Sequence, residues 1–389
     1  MLYRWRLYIL AVALSALAAG GAHAGAGRTG ANILDLPHRS VRAAGMGEAF
    51  ATYDGDVNSV LWNPAGLSTI RDTQILSGWN SFEKVFGEAG DGLYYFALAA
   101  AEPVGELGVL SAALQLNGQG TIDITTDSPE VKATEGLGTN WVASVSYAEE
   151  LSPTLRAGLT GKIIHLPLGV GFEQASSATA YAIDGGVQAD FYPVTLGASI
   201  LNYGTRVQFK DAYQSDPLPR KFHGGVAITA LDAPNTRLVI SLEGVAAIDK
   251  LTQNREDEDF YETVNERLVQ GQDDPTSDYV GMTRIEIEDE LVKQRGAGIY
   301  AFGWDRLERG VGLELTLGRA FKVRAGYKKF DSASEPPQTL EHIDRVSFGF
   351  GVDGAEFGLP FVVDYANAIW GAGGPLLERV NSFSLSFRL

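Results

Sequence analysis

From residue 73 to its C-terminus the chain repeats one pattern: a short stretch of alternating apolar and polar residues, then a connection, with tight and long connections taking turns. Alternation at period two belongs to a strand with one apolar face. Connections that take turns in this way gather the turns at one end of an antiparallel sheet and the loops at the other. Strand-like segments lie at 73–79, 92–103, 105–116, 140–149, 155–167, 178–192, 194–203, 220–230, 235–248, 308–317, 321–330, 345–352, 357–366 and 380–389. The tight connections are Glu102-Pro103-Val104-Gly105, Ser152-Pro153-Thr154, Tyr192-Pro193-Val194, Asp232-Ala233-Pro234-Asn235, Gly318-Arg319-Ala320 and Asp353-Gly354-Ala355. They carry turn residues or are very short. The long ones cover about 117–139, 168–177, 204–219, 249–307, 331–344 and 367–379. Short turns on one side and longer loops on the other are the pattern of a transmembrane antiparallel up-and-down β-barrel.

One segment is ambiguous. Gly296 to Asp305 reads as a further strand, which would make fifteen and move the Gly318 turn to the loop side. A bacterial barrel of this kind closes with an even number of strands. The segment is therefore assigned to the long connection at 249–307, and the expectation is fourteen strands, with twelve or sixteen as neighbouring alternatives.

Alternation also sets which way side chains point. In 308–317, Val311, Leu313, Leu315 and Leu317 oppose Gly312, Glu314 and Thr316. In 321–330, Phe321, Val323, Ala325 and Tyr327 oppose Lys322, Arg324, Gly326 and Lys328. In 178–192, Tyr181, Ile183, Val187, Ala189 and Phe191 oppose Asp184, Gln188 and Asp190. In 357–366, Phe357, Leu359, Phe361, Val363 and Tyr365 oppose Gly358, Pro360 and Asp364. A charge facing lipid at mid-membrane costs roughly 2–4 kcal/mol. Arg156, Lys162, Asp184, Asp190, Glu243, Glu314, Arg324, Asp364 and Arg388 are therefore expected inside. Tyr94, Tyr95, Trp141, Tyr181, Tyr192, Tyr327 and Tyr365 fall near strand ends, where interfacial aromatics sit.

Residues 1–24 read as a secretory signal peptide. Arg4 and Arg6 precede the apolar run Leu7 to Ala18, which is too short to span a bilayer, and Ala22-His23-Ala24 fits a cleavage site before Gly25. An uncleaved anchor is the alternative. The chain has no Cys, which excludes disulfides, thiolate metal sites and Cys nucleophiles. No other stretch approaches 18 consecutive apolar residues, so no transmembrane helix is expected. An exported soluble β protein and an outer-membrane barrel remain. At the C-terminus, Phe383, Leu385, Phe387 and Leu389 alternate with Ser382, Ser384, Ser386 and Arg388. This resembles the final-strand signal read by the barrel-assembly machinery, except that such signals usually end on an aromatic residue and this chain ends on Leu389.

The segment ahead of the first strand is too polar and Gly-rich to span a membrane. It contains Val41-Arg42-Ala43-Ala44-Gly45-Met46-Gly47-Glu48-Ala49-Phe50, an acidic link through Asp54 and Asp56, and Leu61-Trp62-Asn63-Pro64-Ala65-Gly66-Leu67. Pro64 fixes φ and biases Asn63 away from helix; Gly66 permits close backbone approach; Asn63 can bond nearby backbone groups. These are the properties of a rigid buried turn. The segment resembles the N-terminal signature of the FadL-like outer-membrane barrels, and Trp62 ahead of Asn-Pro-Ala-Gly-Leu makes it most similar to the PorV/PorQ branch. Leu315 to Tyr327, ending Val323-Arg324-Ala325-Gly326-Tyr327, is similar to a late-barrel segment of the same branch. The resemblance implies fourteen strands and an N-terminal segment folded into the lumen as a hatch. The expected division is 1–24 signal, 25–71 hatch or plug, and 72–389 barrel, with an acidic extracellular insertion at 249–307.

The hatch residues of interest are Gly45, Gly47, Asp54, Asp56, Trp62, Asn63, Pro64 and Gly66. Asp54 and Asp56 are expected to pair with inward Arg156, Arg324 or Arg388, and Glu314 is a further lumenal charge. Whether the hatch opens or is a permanent plug stays open. In the insertion, Phe260, Val264 and Leu268 share one helical face with Gly271 after them, and Ile285 and Ile287 give a weak strand signal. It reads either as a docking or cation-binding lobe or as a solvated insertion; its spacing does not match a calcium loop.

A net charge of −17 excludes nucleic-acid binding and makes an anion-selective path less expected. There is no Gly-x-Ser-x-Gly or His-Glu-x-x-His motif, and His38, His165, His223 and His342 are widely spread, so no enzyme, metal or cofactor is expected. Gly349-Phe350-Gly351-Val352-Asp353-Gly354 matches a dinucleotide fingerprint but no helix follows it. The leading expectation is a monomeric barrel in the outer membrane of a diderm bacterium, contacting membrane lipid and passing a hydrophobic or amphipathic small molecule. The alternative is a PorV-like partner of a type IX-like secretion system that holds cargo or partner proteins by its loops. A structural or nonspecific barrel is third.

Overall fold

A computed structural model of the chain describes residues 31–36, 39–81, 92–125, 131–168, 176–209, 215–248, 258–282, 286–287, 290–291, 307–329, 344–370 and 378–389. The signal peptide, the start of the hatch, His38, His342 and Gly296–Asp305 lie outside the described residues.

Fourteen antiparallel strands form one closed barrel. In chain order they are β1 (Gln74–Ser81), β2 (Leu93–Pro103), β3 (Val109–Gln119), β4 (Thr139–Ser152), β5 (Leu155–Leu168), β6 (Ser176–Phe191), β7 (Val194–Gly204), β8 (Lys221–Ala233), β9 (Thr236–Ala247), β10 (Glu308–Leu317), β11 (Phe321–Lys329), β12 (Arg345–Asp353), β13 (Phe361–Trp370) and β14 (Glu378–Arg388). Each pairs with its sequence neighbour, and β1 closes on β14 with Gln74 opposite Arg388 and Asn80 opposite Ser382. Closure leaves no strand edge with unpaired backbone groups, which a lipid environment requires. No helix among the described residues is long and apolar enough to cross a membrane.

The two faces of the wall separate by parity. Trp79, Leu98, Val145, Ile163, Val187, Leu242, Leu313, Val323, Phe348, Phe350, Phe383 and Leu385 are exposed on the outside. Arg156, Lys162, Asp184, Glu243, Glu314, Arg324 and Asp364 are buried on the inside. Asp190 and Arg388 are inward but lie at the turn end and stay partly exposed.

Three expectations are corrected. Tyr95 is 1% exposed and faces the lumen, because inward parity in β2 runs through Tyr95, Ala97, Ala99 and Ala101; its hydroxyl donates to Gln115 Oε1 at 3.0 Å instead of meeting an interface. The strand expected at 357–366 starts at Phe361. The Asp353 side chain accepts from Ala355 N at 3.1 Å and winds Gly354–Phe357 into a 3-10 turn, which Gly358 ends at φ 72°. Phe357 and Leu359 therefore sit exposed in the turn. The strand expected at 105–116 likewise starts at Val109, after a 3-10 turn Gly105–Leu107 and Gly108 at φ 99°.

Among the long connections, Thr121–Thr125 pairs with Val131–Gly136 and Val207–Gln208 with Ser215–Asp216 in small two-stranded sheets. The insertion carries a helix from Glu258 to Asp273. Val264 is fully buried there against Ile287 and Leu291, so the insertion holds a small apolar core of its own. Gly271 is inside that helix, where the Tyr279 carbonyl packs against it, and Ile287 is helical instead of strand.

Candidate functional site

A barrel of this width has more interior than its own inward side chains fill. Here the N-terminal segment fills it. Its backbone is a chain of short capped turns. Ser40 caps a one-turn helix, α1 (Val41–Ala44), its Oγ accepting from Ala43 N at 3.2 Å. Asp56 caps the 3-10 turn Val57–Leu61, and Asn63 caps Pro64–Leu67, with Asn63 Oδ1 accepting from Ala65 N at 3.1 Å. Each cap satisfies amide donors that would otherwise be buried without partners.

The segment lies directly on the wall because the wall is glycine where they meet. A Cβ on Gly326 of β11 would stand 2.0 Å from Gly47 N; on Gly312 of β10, 2.6 Å from Met46 O; on Gly186 of β6, 2.0 Å from Asn63 Oδ1; and on Gly158 of β5, 2.4 Å from the Pro64 carbonyl carbon. Gly47 itself has φ +60° and would clash with the Tyr327 backbone at 2.6 Å if it carried a Cβ. A Cβ on Gly66 would stand 2.3 Å from the Tyr53 carbonyl oxygen, and one on Gly45 3.2 Å from Gly349 Cα.

Polar side chains from the wall then hold the segment. Glu243 of β9 accepts from Phe50 N at 2.6 Å and Ala51 N at 2.7 Å, while its other oxygen meets His223 Nδ1 at 2.7 Å. Gln188 donates to the carbonyls of Ala51 and Tyr53, and Ser199 donates to that of Trp62. Asn63 Nδ2 donates to Ala51 O at 2.8 Å and to Val187 O on the wall at 3.1 Å.

A row of alternating charges crosses from segment to wall. Asp56 meets Arg42 at 2.7 Å; Arg42 forks onto Glu314 at 2.7 and 3.0 Å; Glu314 also meets Arg324 at 2.7 Å, and Arg324 meets Asp364 at 2.6 Å. The Arg42 guanidinium lies 4.8 Å from the Tyr53 ring centroid. Bidentate Arg–carboxylate pairing is directional as well as charged. Burial by itself would raise the Asp56 carboxyl, but Arg42 and the Asn58 donors hold it below its ordinary range.

Of the expected pairings, Asp54 meets Arg156, which also meets Asp190. Asp56 meets neither Arg156, Arg324 nor Arg388; it reaches Glu314 and Arg324 through Arg42. Arg388 pairs with Asp353 at 2.7 Å instead. Arg42 and the wall glycines went unread in the sequence. Arg42 had a signal, a lone cation between Val41 and Ala43 in an otherwise apolar stretch. The wall glycines look in sequence like ordinary strand glycines.

In the β2–β6 half of the lumen, buried Ala97, Ala99, Ala113, Val142, Ala180 and Ala182 are interspersed with buried polar and charged side chains, among them Gln115, Lys162, Asp184 and Gln188. Trp62, Leu61 and Leu67 pack on one part of this half, and Ala31, Ile33 and Leu34 on another. The β9–β13 half carries Glu243, Glu314, Arg324 and Asp364. At the turn end, below Tyr53 and Asp54, lies a polar cavity of about 420 Å³ lined in part by Arg42, Arg237, Glu314, Arg319, Lys322 and Arg388. Among the described residues no three metal-binding side chains come together.

No family model matches the chain, and no curated protein matches it in sequence. Solved structures do match in fold. The toluene transporter TodX of Pseudomonas putida superposes with a TM-score of 0.52 at 11% identity over 92% of this chain and 99% of that one. The monoaromatic hydrocarbon channel CymD gives 0.50 at 12% identity, over 92% and 99%. The Ralstonia pickettii toluene transporter TbuX gives 0.50 at 12% identity, also over 92% and 99%. At such identities the likeness is one of fold, and that fold is the one the resemblance of residues 41–67 implies.

Proposed function

We propose that the protein is an outer-membrane channel through which a hydrophobic or amphipathic small molecule passes passively. The observation that carries this reading is the row of small apolar side chains, Ala97 and Ala99 of β2 and Ala178, Ala180 and Ala182 of β6, that lines part of the lumen beside the plug. An apolar molecule loses little on moving from lipid onto such side chains, whereas an ion moving there from water loses its polar partners. The outward apolar face and the closed wall support an outer-membrane location. The fold shared with a toluene transporter and a monoaromatic hydrocarbon channel supports the substrate class.

The N-terminal segment acts as a seated plug. Glycine contacts, the Glu243 bonds and the Arg42 fork hold it at several separate places. That favours passage between plug and the alanine-lined part of the wall over a hatch that swings out. The PorV/PorQ assignment, and with it a role as a secretion partner, rests on residues 41–67 and 315–327 alone, and no feature of the fold favours it.

The test is uptake of labelled toluene and of a labelled fatty acid by diderm cells expressing the chain, with Ala97→Gln and Ala180→Gln narrowing the alanine-lined path. Faster uptake than in empty cells, reduced by both variants, supports the reading. Uptake no faster than in empty cells, or recovery of the chain in the soluble periplasmic fraction, refutes it.

A further inference from the structure

We propose that the turn-end mouth of the lumen is an oxyanion-binding site formed by Arg237, Lys322 and Arg319. This goes beyond passage of a neutral molecule and stands on the cavity itself. Arg237 of β9 is opposite Thr316 of β10, and Thr316 is opposite Lys322 of β11. All three share the inward parity of Glu314 and Arg324. Neighbouring strands lie about 4.8 Å apart, so the two cations flank Thr316 on one row, about 10 Å apart at the backbone. Two long side chains reach across that span to a single oxyanion, and Arg319 approaches it from the Gly318 turn. Thr229, Thr236 and Thr316 supply neutral donors around the same cavity.

The charge count of the lining decides the sign of the ligand. Arg42, Arg237, Arg319, Lys322 and Arg388 face Asp54, Asp232 and Glu314. Arg42 is engaged by Asp56 and Glu314, Arg388 by Asp353, and Asp54 by Arg156. Arg237, Arg319 and Lys322 make no ion pair among the described residues, and Asp232 is the acid of the lining that remains beside them. Lys322 lies within electrostatic range of the cations Arg42 and Arg324 and of the acids Glu314 and Asp364, whose oxygens those two arginines already hold. A chain of net charge −17 thus carries a local excess of cations in a walled recess, where the field is focused. Arg offers an oxyanion a planar fork and Lys a point charge. Carboxylate and phosphate oxygens share this chemistry. The first would arrive as the head of an amphipath leaving the lumen, the second as a free ion from the compartment outside.

Calorimetric titration of the full-length protein in neutral detergent tests the site with benzoate, inorganic phosphate and, as the neutral reference, toluene. Saturable oxyanion binding that weakens with salt, and by about tenfold or more for each cation removed in Arg237→Gln and Lys322→Gln, supports the proposal. Arg379→Gln, an exposed position on β14, leaves binding unchanged if the site is right. Benzoate tighter than phosphate identifies the amphipath's head as the source; the reverse identifies a free anion. Arg319→Gln, in an exposed turn, serves if the strand variants fold poorly, and Lys322→Arg should retain binding. No saturable oxyanion binding at low ionic strength, or equal loss in Arg379→Gln, overturns the site. Toluene uptake is read separately, so either idea can fail alone.

Discussion

Replacing Gly326 by Ala should loosen the plug without harming the wall. The new Cβ would stand 2.0 Å from Gly47 N and 2.2 Å from the Met46 carbonyl carbon, where ordinary contact begins at 3.4 Å. Plug or wall must therefore yield by about 1.4 Å. Sliding sideways has little room, because Gly310 and Gly312 of β10 lie so close beneath Gly47 O and Met46 O that a Cβ on either would stand only 2.7 or 2.6 Å away. Neither can Gly47 take up another pose easily, since its own Cβ position is filled by the Tyr327 backbone. The plug must lift, and the 3.1 Å hydrogen bond from Gly47 N to Ser347 Oγ goes with it. Overpacking costs roughly 1–3 kcal/mol and an orphaned buried amide roughly another 1–3, so about 2–6 kcal/mol in all. The smaller value is about a thirtyfold change in an opening equilibrium. Hydrogen-exchange mass spectrometry on detergent-solubilised protein reads this directly: the amides of residues 43–53 should exchange at least about thirtyfold faster. Gly161→Ala is the control, because a Cβ there has no atom within 4 Å. If the two variants exchange alike over 43–53, the glycine contacts do not seat the plug and the reasoning fails.

Other outcomes follow from the same contacts. Asp56→Ala should raise ion leakage in planar bilayers more than Asp54→Ala, because the Asp56 side chain is 12% exposed and completes the Arg42 fork, whereas Asp54 is 46% exposed and Arg156 keeps Asp190. Equal leakage would contradict the charge row. Glu243→Gln keeps the shape but leaves the Phe50 and Ala51 amides a weaker acceptor, and should speed exchange at those two amides by about tenfold, read by the same mass spectrometry. Leu98→Arg, on the outer face in the middle of β2, should cost roughly 2–4 kcal/mol in folding titrations into lipid vesicles, while Leu98→Met, which keeps that face apolar, should cost less than about 1.5 kcal/mol. A matching loss in both would mean the faces are assigned wrongly.

Much of the wall was legible because strand parity is a local property. Val311, Leu313 and Leu315 against Gly312 and Glu314 can be sorted from sequence alone, since each side chain simply opposes the next. Boundaries were less legible where a side-chain cap overrode the alternation. Asp353 and Gly358 turn the chain before β13, and nothing in Phe357 or Leu359 announces it. Tyr95 failed for a related reason: aromatic character favoured an interface, but register fixed its face.

The chain by itself determined an even-numbered antiparallel barrel, its inward charges and a rigid turn at Asn63-Pro64, because periodicity, turn chemistry and the cost of charge in lipid act along the sequence. The tertiary structure alone decided which inward charges meet. Arg42 and Glu314 are 272 residues apart, and their fork exists only because closure brings β10 to the side of the lumen where α1 lies. It also decided that glycines on β5, β6, β10 and β11 form one seat, since their common partner is a segment that none of them adjoins in sequence. The cationic mouth is of the same kind. A chain of net charge −17 gives no hint of it, because net charge sums over the whole surface while binding depends on the few charges that face one recess.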